Sequence, residues 1–269
     1  MIPRGLLAAS VALSMAMLSG CNTNANNENT VTVYAAASLA EVFSDIANQY
    51  EQANPNITIE LSFAGSARLA AQIIAGARTD VFASADQANM ARVLDAGYTT
   101  APPKTFARNQ LALVVPKANP GHINKLADLA NNRLVLAACA PEVPCGALAK
   151  QVLQDAGVQA NPDTYETSVR AVLTKVTLGE ADAGLVYATD VVAGGNKVMQ
   201  IPIDPGDLNN SGPPNKPSQP NTPNNPSQPR FTEYPLATIT NKATAADFAN
   251  YVLSPQAQHT LALYGFKAP

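Results

Sequence analysis

Four short stretches of this chain set small or hydroxylated residues directly ahead of helical periodicity. They are Tyr34-Ala35-Ala36-Ala37-Ser38-Leu39, Phe63-Ala64-Gly65-Ser66, Pro144-Cys145-Gly146 and Ser168-Val169. A helix starting at such a corner leaves its first N–H groups without intrahelical acceptors and carries the positive end of its dipole there. The chemistry on offer is therefore anion binding by neutral donors. An ordinary cap is the competing reading. Ser38 with Glu41 spells S-x-x-E, a capping box that needs no ligand. Taken alone, Ser38 reads as a cap. Four matching corners, two in each half of the chain, are harder to dismiss as caps.

The elements that must position these corners follow from periodicity. Val31, Val33 and Ala35 alternate with Thr32, Tyr34 and Ala36 as a strand, and Leu39, Val42, Phe43, Ile46 and Tyr50 then mark one helix face. Residues 57–63 alternate as a second strand, after which Gly65 gives the backbone room for a tight turn into a helix carrying Leu69, Ile73 and Ile74. A buried strand over 80–85 and a helix over 87–94 complete the first half. The second half opens with a strand over 110–116, followed by a short helix at 126–129, a strand over 133–137 and a helix over 146–156. A brief strand at 164–166, a helix carrying Val169, Val172, Leu173 and Val176, and strands over 183–187 and 198–203 follow. Gly194-Gly195 reads as a turn. A strand over 234–239 and helices over 245–253 and 255–264 end the chain. Strand–helix alternation of this kind makes parallel sheets with helices on their faces, whose ligands sit beyond the carboxyl ends of the strands.

The ends of this pattern carry other information. Arg4, an apolar stretch over 6–18 too short for a stable membrane span, and Leu18-Ser19-Gly20-Cys21 read as a lipoprotein signal (1–20) with Cys21 as the acylated residue. Residues 21–30 are a polar, flexible tether. An ordinary signal peptide is the alternative, though Ser19 and Cys21 fit its small-x-small site less well. Cys139 and Cys145 remain as an even pair in an exported chain, and the compartment favours a disulfide over two thiols. A net charge of −3, no tryptophan and no basic stripe argue against nucleic acid. Residues 204–230 break the alternation with eight prolines among Asn, Ser and Gln, as expected of a disordered surface insertion. His122 and His259 lie far from the serine corners, and no nucleophile elbow, metal-type His pair or P-loop is present. Asp80 and Asp86, flanking one strand, read as turn or cap residues.

Six pieces in order carry a family resemblance. Ala35-Ala36-Ala37-Ser38-Leu39, Phe63-Ala64-Gly65-Ser66, Ala83-Ser84-Ala85-Asp86, Val143-Pro144-Cys145-Gly146, Ser168-Val169-Arg170 and Gly184-Leu185-Val186-Tyr187 resemble the periplasmic molybdate-binding proteins of ABC importers. The likeness runs from Val31 to Phe266, and the lipobox with the Cys-x5-Cys loop is most similar to lipid-anchored forms from Gram-positive bacteria. It implies an α/β, two-lobe periplasmic-binding-protein fold of type II, each lobe a mostly parallel sheet flanked by helices, joined by crossing strands. Lobe 1 would comprise 31–109 and 240–269, and lobe 2 110–239, with hinges near 108–110 and 238–241. The implied molybdate ligands are Ser38 and Ser66 by hydroxyl and backbone N–H, Cys145 and Val169 by backbone N–H, and Tyr187 by its phenol. The molybdenum is bound only as its oxyanion, without a separate cofactor. Tungstate is the expected second ligand and an ABC permease the expected partner. The protein would act as a monomer held by Cys21 on the outer face of the cytoplasmic membrane.

Physical chemistry agrees with such a cage. Each hydrogen bond to a charged acceptor is worth roughly 1.5–3 kcal/mol, and a protonated phosphate would bring an O–H that no acceptor meets. Arg68 and Arg170 lie beside two corners, where they either tune the field from behind the donors or occupy solvated helix faces. Two other readings stay open: a binding protein for another tetrahedral oxyanion such as sulfate or phosphate, and an exported enzyme or adhesin on the same scaffold.

Overall fold

The structure, a computed structural model, describes residues 28–203 and 230–269. The signal segment, Cys21 and nearly all of the tether and the proline-rich insertion lie outside the described residues.

The chain runs β1 (Thr30–Ala36), a 3-10 turn (Ala37–Leu39), α1 (Ala40–Ala53), β2 (Thr58–Ala64), α2 (Ser66–Ile74), β3 (Val81–Ala83), α3 (Gln87–Asp95) and β4 (Lys104–Pro116). It continues through β5 (Leu136–Cys139), α4 (Pro144–Asp155), β6 (Thr164–Glu166), α5 (Val169–Leu178), β7 (Ala183–Tyr187), α6 (Ala188–Gly194) and β8 (Val198–Ile201). After the insertion come β9 (Phe231–Thr238), α7 (Ala243–Val252) and α8 (Pro255–Leu263). The helix faces read from sequence are the buried ones: α1 buries Val42, Phe43, Ile46 and Tyr50, and α5 buries Val169, Val172, Leu173 and Val176 before Gly179 closes it in the left-handed region.

Strand order is β2-β1-β3-β9-β4-β7-β5-β6, with β8 also beside β4. β1 pairs parallel with β2 and β3, and β5 parallel with β6 and β7, so each lobe has a parallel core of strands. The long strand β4 joins the lobes. Lys104 to Gln110 pair antiparallel with β9, whereas Leu111 to Val114 pair with β7 and Leu113 to Pro116 with β8. One strand thus changes partners between Gln110 and Leu111.

Three expectations are corrected. β4 begins six residues before the expected strand, because Phe106 and Ala107 are buried against β9 while the intervening polar residues hid the pattern. β9 was assigned with lobe 2, yet it lies between β3 and the first half of β4 and so belongs to the lobe 1 sheet. The crossing on the return path is accordingly at Phe231 and Thr232, opposite Gln110 and Asn109. Residues 238–241 sit inside lobe 1, where Ile239 N–H bonds Asp80 C=O and the Thr240 hydroxyl bonds the Asp80 carboxylate. Finally, α6 was not foreseen. Its short Ala188-Thr189-Asp190-Val191-Val192 run is poor in helix formers, and the helix is started by the Asp190 carboxylate accepting the Tyr187 N–H at 3.0 Å.

Candidate functional site

Where the lobes meet, a cavity with an empty volume of ≈ 200 Å³ is lined by Ser38, Gly65, Ser66 and Ala85 from lobe 1 and by Pro144, Cys145, Val169 and Tyr187 from lobe 2. All five ligand positions implied by the resemblance line it. Among the described residues, no lysine or arginine does.

The corners are built as helix starts. Ser66 is the first residue of α2, Cys145 the second of α4 behind Pro144, and Val169 the first of α5. At those positions the backbone N–H has no intrahelical acceptor, so three helix N-termini present donors and partial positive charge to one small volume. Ser38 departs from its capping reading. It lies within the 3-10 turn ahead of α1, no side chain caps that helix, and Glu41 reaches across the cleft to the Arg170 guanidinium instead. The serine hydroxyl is left for the cavity and for Tyr234, whose phenol oxygen is 2.9 Å away.

Each hydroxyl is wired differently. The Ser66 oxygen accepts the Ala85 N–H at 3.0 Å, which leaves its own proton to donate. Tyr187 is 1 % exposed, and its hydroxyl makes no hydrogen bond. The neighbouring Thr232 hydroxyl donates to the Ala85 carbonyl. Among the described residues, only two other buried side-chain atoms lack hydrogen bonds, Arg170 Nε and Asp190 Oδ1, and these face each other as an ion pair at 3.1 Å. The Tyr187 phenol is thus buried without a well-formed hydrogen bond, with the Thr232 hydroxyl as a polar group beside it. Burial, together with the nearby Tyr234, Asp86 and Asp190, pushes its pKa well above the ordinary phenol value against a smaller lowering pull from the Thr232 hydroxyl, so it stays protonated.

Electrostatics behind the cage bridge the lobes. Arg170 contacts Glu41 of α1 and Asp190 of α6. Asp190 is fully buried, and burial lifts its carboxyl to about 7 against the lowering pull of Arg170 and of the Tyr187 N–H. Arg170 therefore works behind the cage, whereas Arg68 is exposed and does not line it.

Two glycines are required by space. Gly65 has ordinary φ and ψ of −60° and 137°, so the backbone freedom expected of it is not used. Its hydrogen faces the other lobe, where a Cβ would meet the Thr167 carbonyl oxygen at 2.0 Å. At Gly146 a Cβ would come within 2.1 Å of the Ala140 carbonyl oxygen. That glycine lets α4 start against the end of β5, where a Cys139–Cys145 disulfide with a Cα–Cα distance of 5.8 Å ties the same corner.

Sequence reasoning missed Tyr234, Asn109 and Asp190. The available signals were an asparagine in phase with Ala107 and Leu111 on the crossing strand and an aspartate three residues after a strand-terminal tyrosine. Asp80 and Asp86 serve the fold. Asp86 caps α3 through the Asn89 N–H, and Asp80 accepts from the Thr32 N–H and pairs with Lys242.

Comparison with known proteins places this geometry. The model of the bacterial extracellular solute-binding protein family matches residues 31–267. The molybdate-binding protein ModA of Mycobacterium tuberculosis (strain H37Rv) is 39% identical over 196 residues, covering 70% of this chain and 75% of that protein. ModA of Escherichia coli K12 is 34% identical over 274 residues, covering 97% and 96%. Among solved structures, the periplasmic molybdate-binding protein of Azotobacter vinelandii superposes with a TM-score of 0.69 at 20% identity, covering 89% of this chain and 99% of that one. At that identity the superposition speaks to the fold, a two-lobe periplasmic-binding-protein architecture. The family's role is solute binding in transport and not enzymatic turnover. The chain belongs to the bacterial extracellular solute-binding proteins.

Proposed function

We propose that this protein captures molybdate, and tungstate with it, between its two lobes and delivers the ion to an ABC permease. The carrying observation is the Tyr187 hydroxyl, buried, protonated and without a well-formed hydrogen bond at the wall of a small cavity that three helix N-termini and two serines also face. A fully deprotonated tetrahedral dianion supplies what that group lacks, and supplies only acceptors to a cage of donors. The ModA relatives point to molybdate among such ions.

In this reading Ser38 and Ser66 hold the ion from lobe 1, and Cys145, Val169 and Tyr187 from lobe 2, so binding and closure are one event. The lobes meet along β4 at Gln110–Leu111, and lobe 2 carries the insertion at 204–230. The protein works as a monomer tethered through lipidated Cys21 to the outer face of the membrane.

Calorimetry with molybdate, tungstate, sulfate and phosphate tests the assignment. The expected result is stoichiometric binding of the first two, tighter than either of the others, and a loss of more than tenfold in Ser38→Ala with cooperative unfolding retained. Sulfate as the tightest ligand, or unchanged affinity in Ser38→Ala, would overturn it.

A further inference from the structure

A hydroxyl can donate or accept, so a cage of hydroxyls selects unprotonated anions only if something fixes where the protons point. For Ser66 the Ala85 N–H does so. For Ser38 the control runs through two residues behind the cavity. Asn109, 1 % exposed on β4, receives the Gln110 N–H on its side-chain oxygen at 3.0 Å, which fixes the orientation of the amide. Its nitrogen then donates to the Thr189 hydroxyl at 2.8 Å and to the Tyr234 hydroxyl at 3.4 Å. With its oxygen receiving that donor, Tyr234 turns its single proton toward Ser38 Oγ at 2.9 Å. Ser38, accepting from Tyr234, has its own proton left for the cavity. The Tyr234 ring is held in place by edge contacts to Phe106, Tyr187 and Phe266, so the phenol has little freedom to turn away.

We infer that Tyr234, oriented by Asn109, is a specificity-determining positioning residue that locks Ser38 as a donor and so excludes protonated oxyanions. The inference rests on the oxyanion reading of the cavity. Without Tyr234 the Ser38 hydroxyl is free to rotate and accept a proton from a ligand, and the penalty against hydrogen phosphate falls.

The test is a double-mutant cycle read as the ratio of molybdate to phosphate affinity at pH 6, where phosphate always carries a proton. Tyr234→Phe, which keeps the ring packing, is expected to lower that ratio at least tenfold. In a Ser38→Ala background the same substitution should leave the ratio within twofold. Asn109→Asp replaces the donor with an acceptor that draws the Tyr234 proton away, and should weaken molybdate binding at least as much as Tyr234→Phe does. An unchanged ratio in Tyr234→Phe, or an equal drop without Ser38, would overturn the relay. Wild-type protein that binds neither molybdate nor sulfate would overturn the oxyanion reading itself, and the relay with it.

Discussion

Gly65 of lobe 1 faces the Thr167 carbonyl of lobe 2 so closely that a single added methyl would lie 2.0 Å from the oxygen. The two residues belong to adjacent walls of one cavity, since Thr167 leads into the Ser168 cap of α5 and Gly65 caps α2. The missing side chain is what lets two helix N-termini approach the same cavity. Gly65→Ala is therefore expected to leave the separate lobes intact while holding the cleft open. Molybdate affinity should fall at least tenfold, about 1.4 kcal/mol, with the ligand-free melting temperature within a few degrees of wild type. Wild-type affinity in the alanine variant would show that the lobes bind the ion without this approach.

Tyr187 sets stability against function. Its hydroxyl is buried without a well-formed hydrogen bond, so removing it relieves a desolvation cost in the empty protein and, in the proposed site, removes one donor from the loaded one. Tyr187→Phe should match or exceed wild type in urea unfolding without ligand, while binding molybdate more weakly by roughly 1.5–3 kcal/mol. A variant destabilised when empty and unchanged in affinity would assign the phenol to the fold.

Much of this site was legible because its parts are local. A strand running into a helix through a serine or glycine announces itself within six residues, and each corner identified that way lines the cavity. What was not legible connects distant residues. The Ser38–Tyr234 bond spans 196 positions and the Glu41–Arg170 pair 129, and neither leaves a mark in local pattern. Glu41 illustrates the limit: at three residues after Ser38 it satisfies every local rule for a capping box, yet a cation on the opposite lobe outcompetes the backbone N–H. Asn109 was read as part of a hinge, when burial in the crossing strand makes its amide the organiser of a hydrogen-bond chain.

The disulfide offers a third check. It closes a short loop at the start of α4, where Gly146 already sits against the Ala140 carbonyl. Loop closure of this length is worth about 2 kcal/mol, far less than the burial that holds the lobe together. Cys139→Ser is expected to lower stability by about that amount and keep a cooperative transition. It should weaken molybdate binding less than Ser38→Ala does, because the donor proposed at Cys145 is its backbone N–H. Thiol titration of the unfolded, unreduced wild-type domain should find neither Cys139 nor Cys145 free. A Cys139→Ser protein without measurable binding would mean that the crosslink itself sets the corner.

Asp190 makes stability depend on pH in an unusual direction. Its carboxyl is lifted by burial from 3.8 to about 7, with Arg170 and the Tyr187 N–H pulling the other way and Glu41 adding to the rise. Between those two values the folded protein holds a proton that the unfolded chain has released. By linkage, this group's contribution to stability falls as pH rises through the window, and the full cost of its buried charge applies above about 7. Asp190→Asn keeps an oxygen for the Tyr187 N–H and removes the titration. The unfolding free energy of the variant relative to wild type should climb from pH 4.5 to 7 and then level off, by an amount on the order of 1–4 kcal/mol at about 1.4 kcal/mol per pKa unit. Arg170 would retain Glu41 as its partner, so the lobe contact survives in the variant. Urea denaturation across that range, with both proteins free of ligand, measures the difference. A flat difference would mean that Asp190 is ionised throughout, stabilised by Arg170 beyond the cost of its burial.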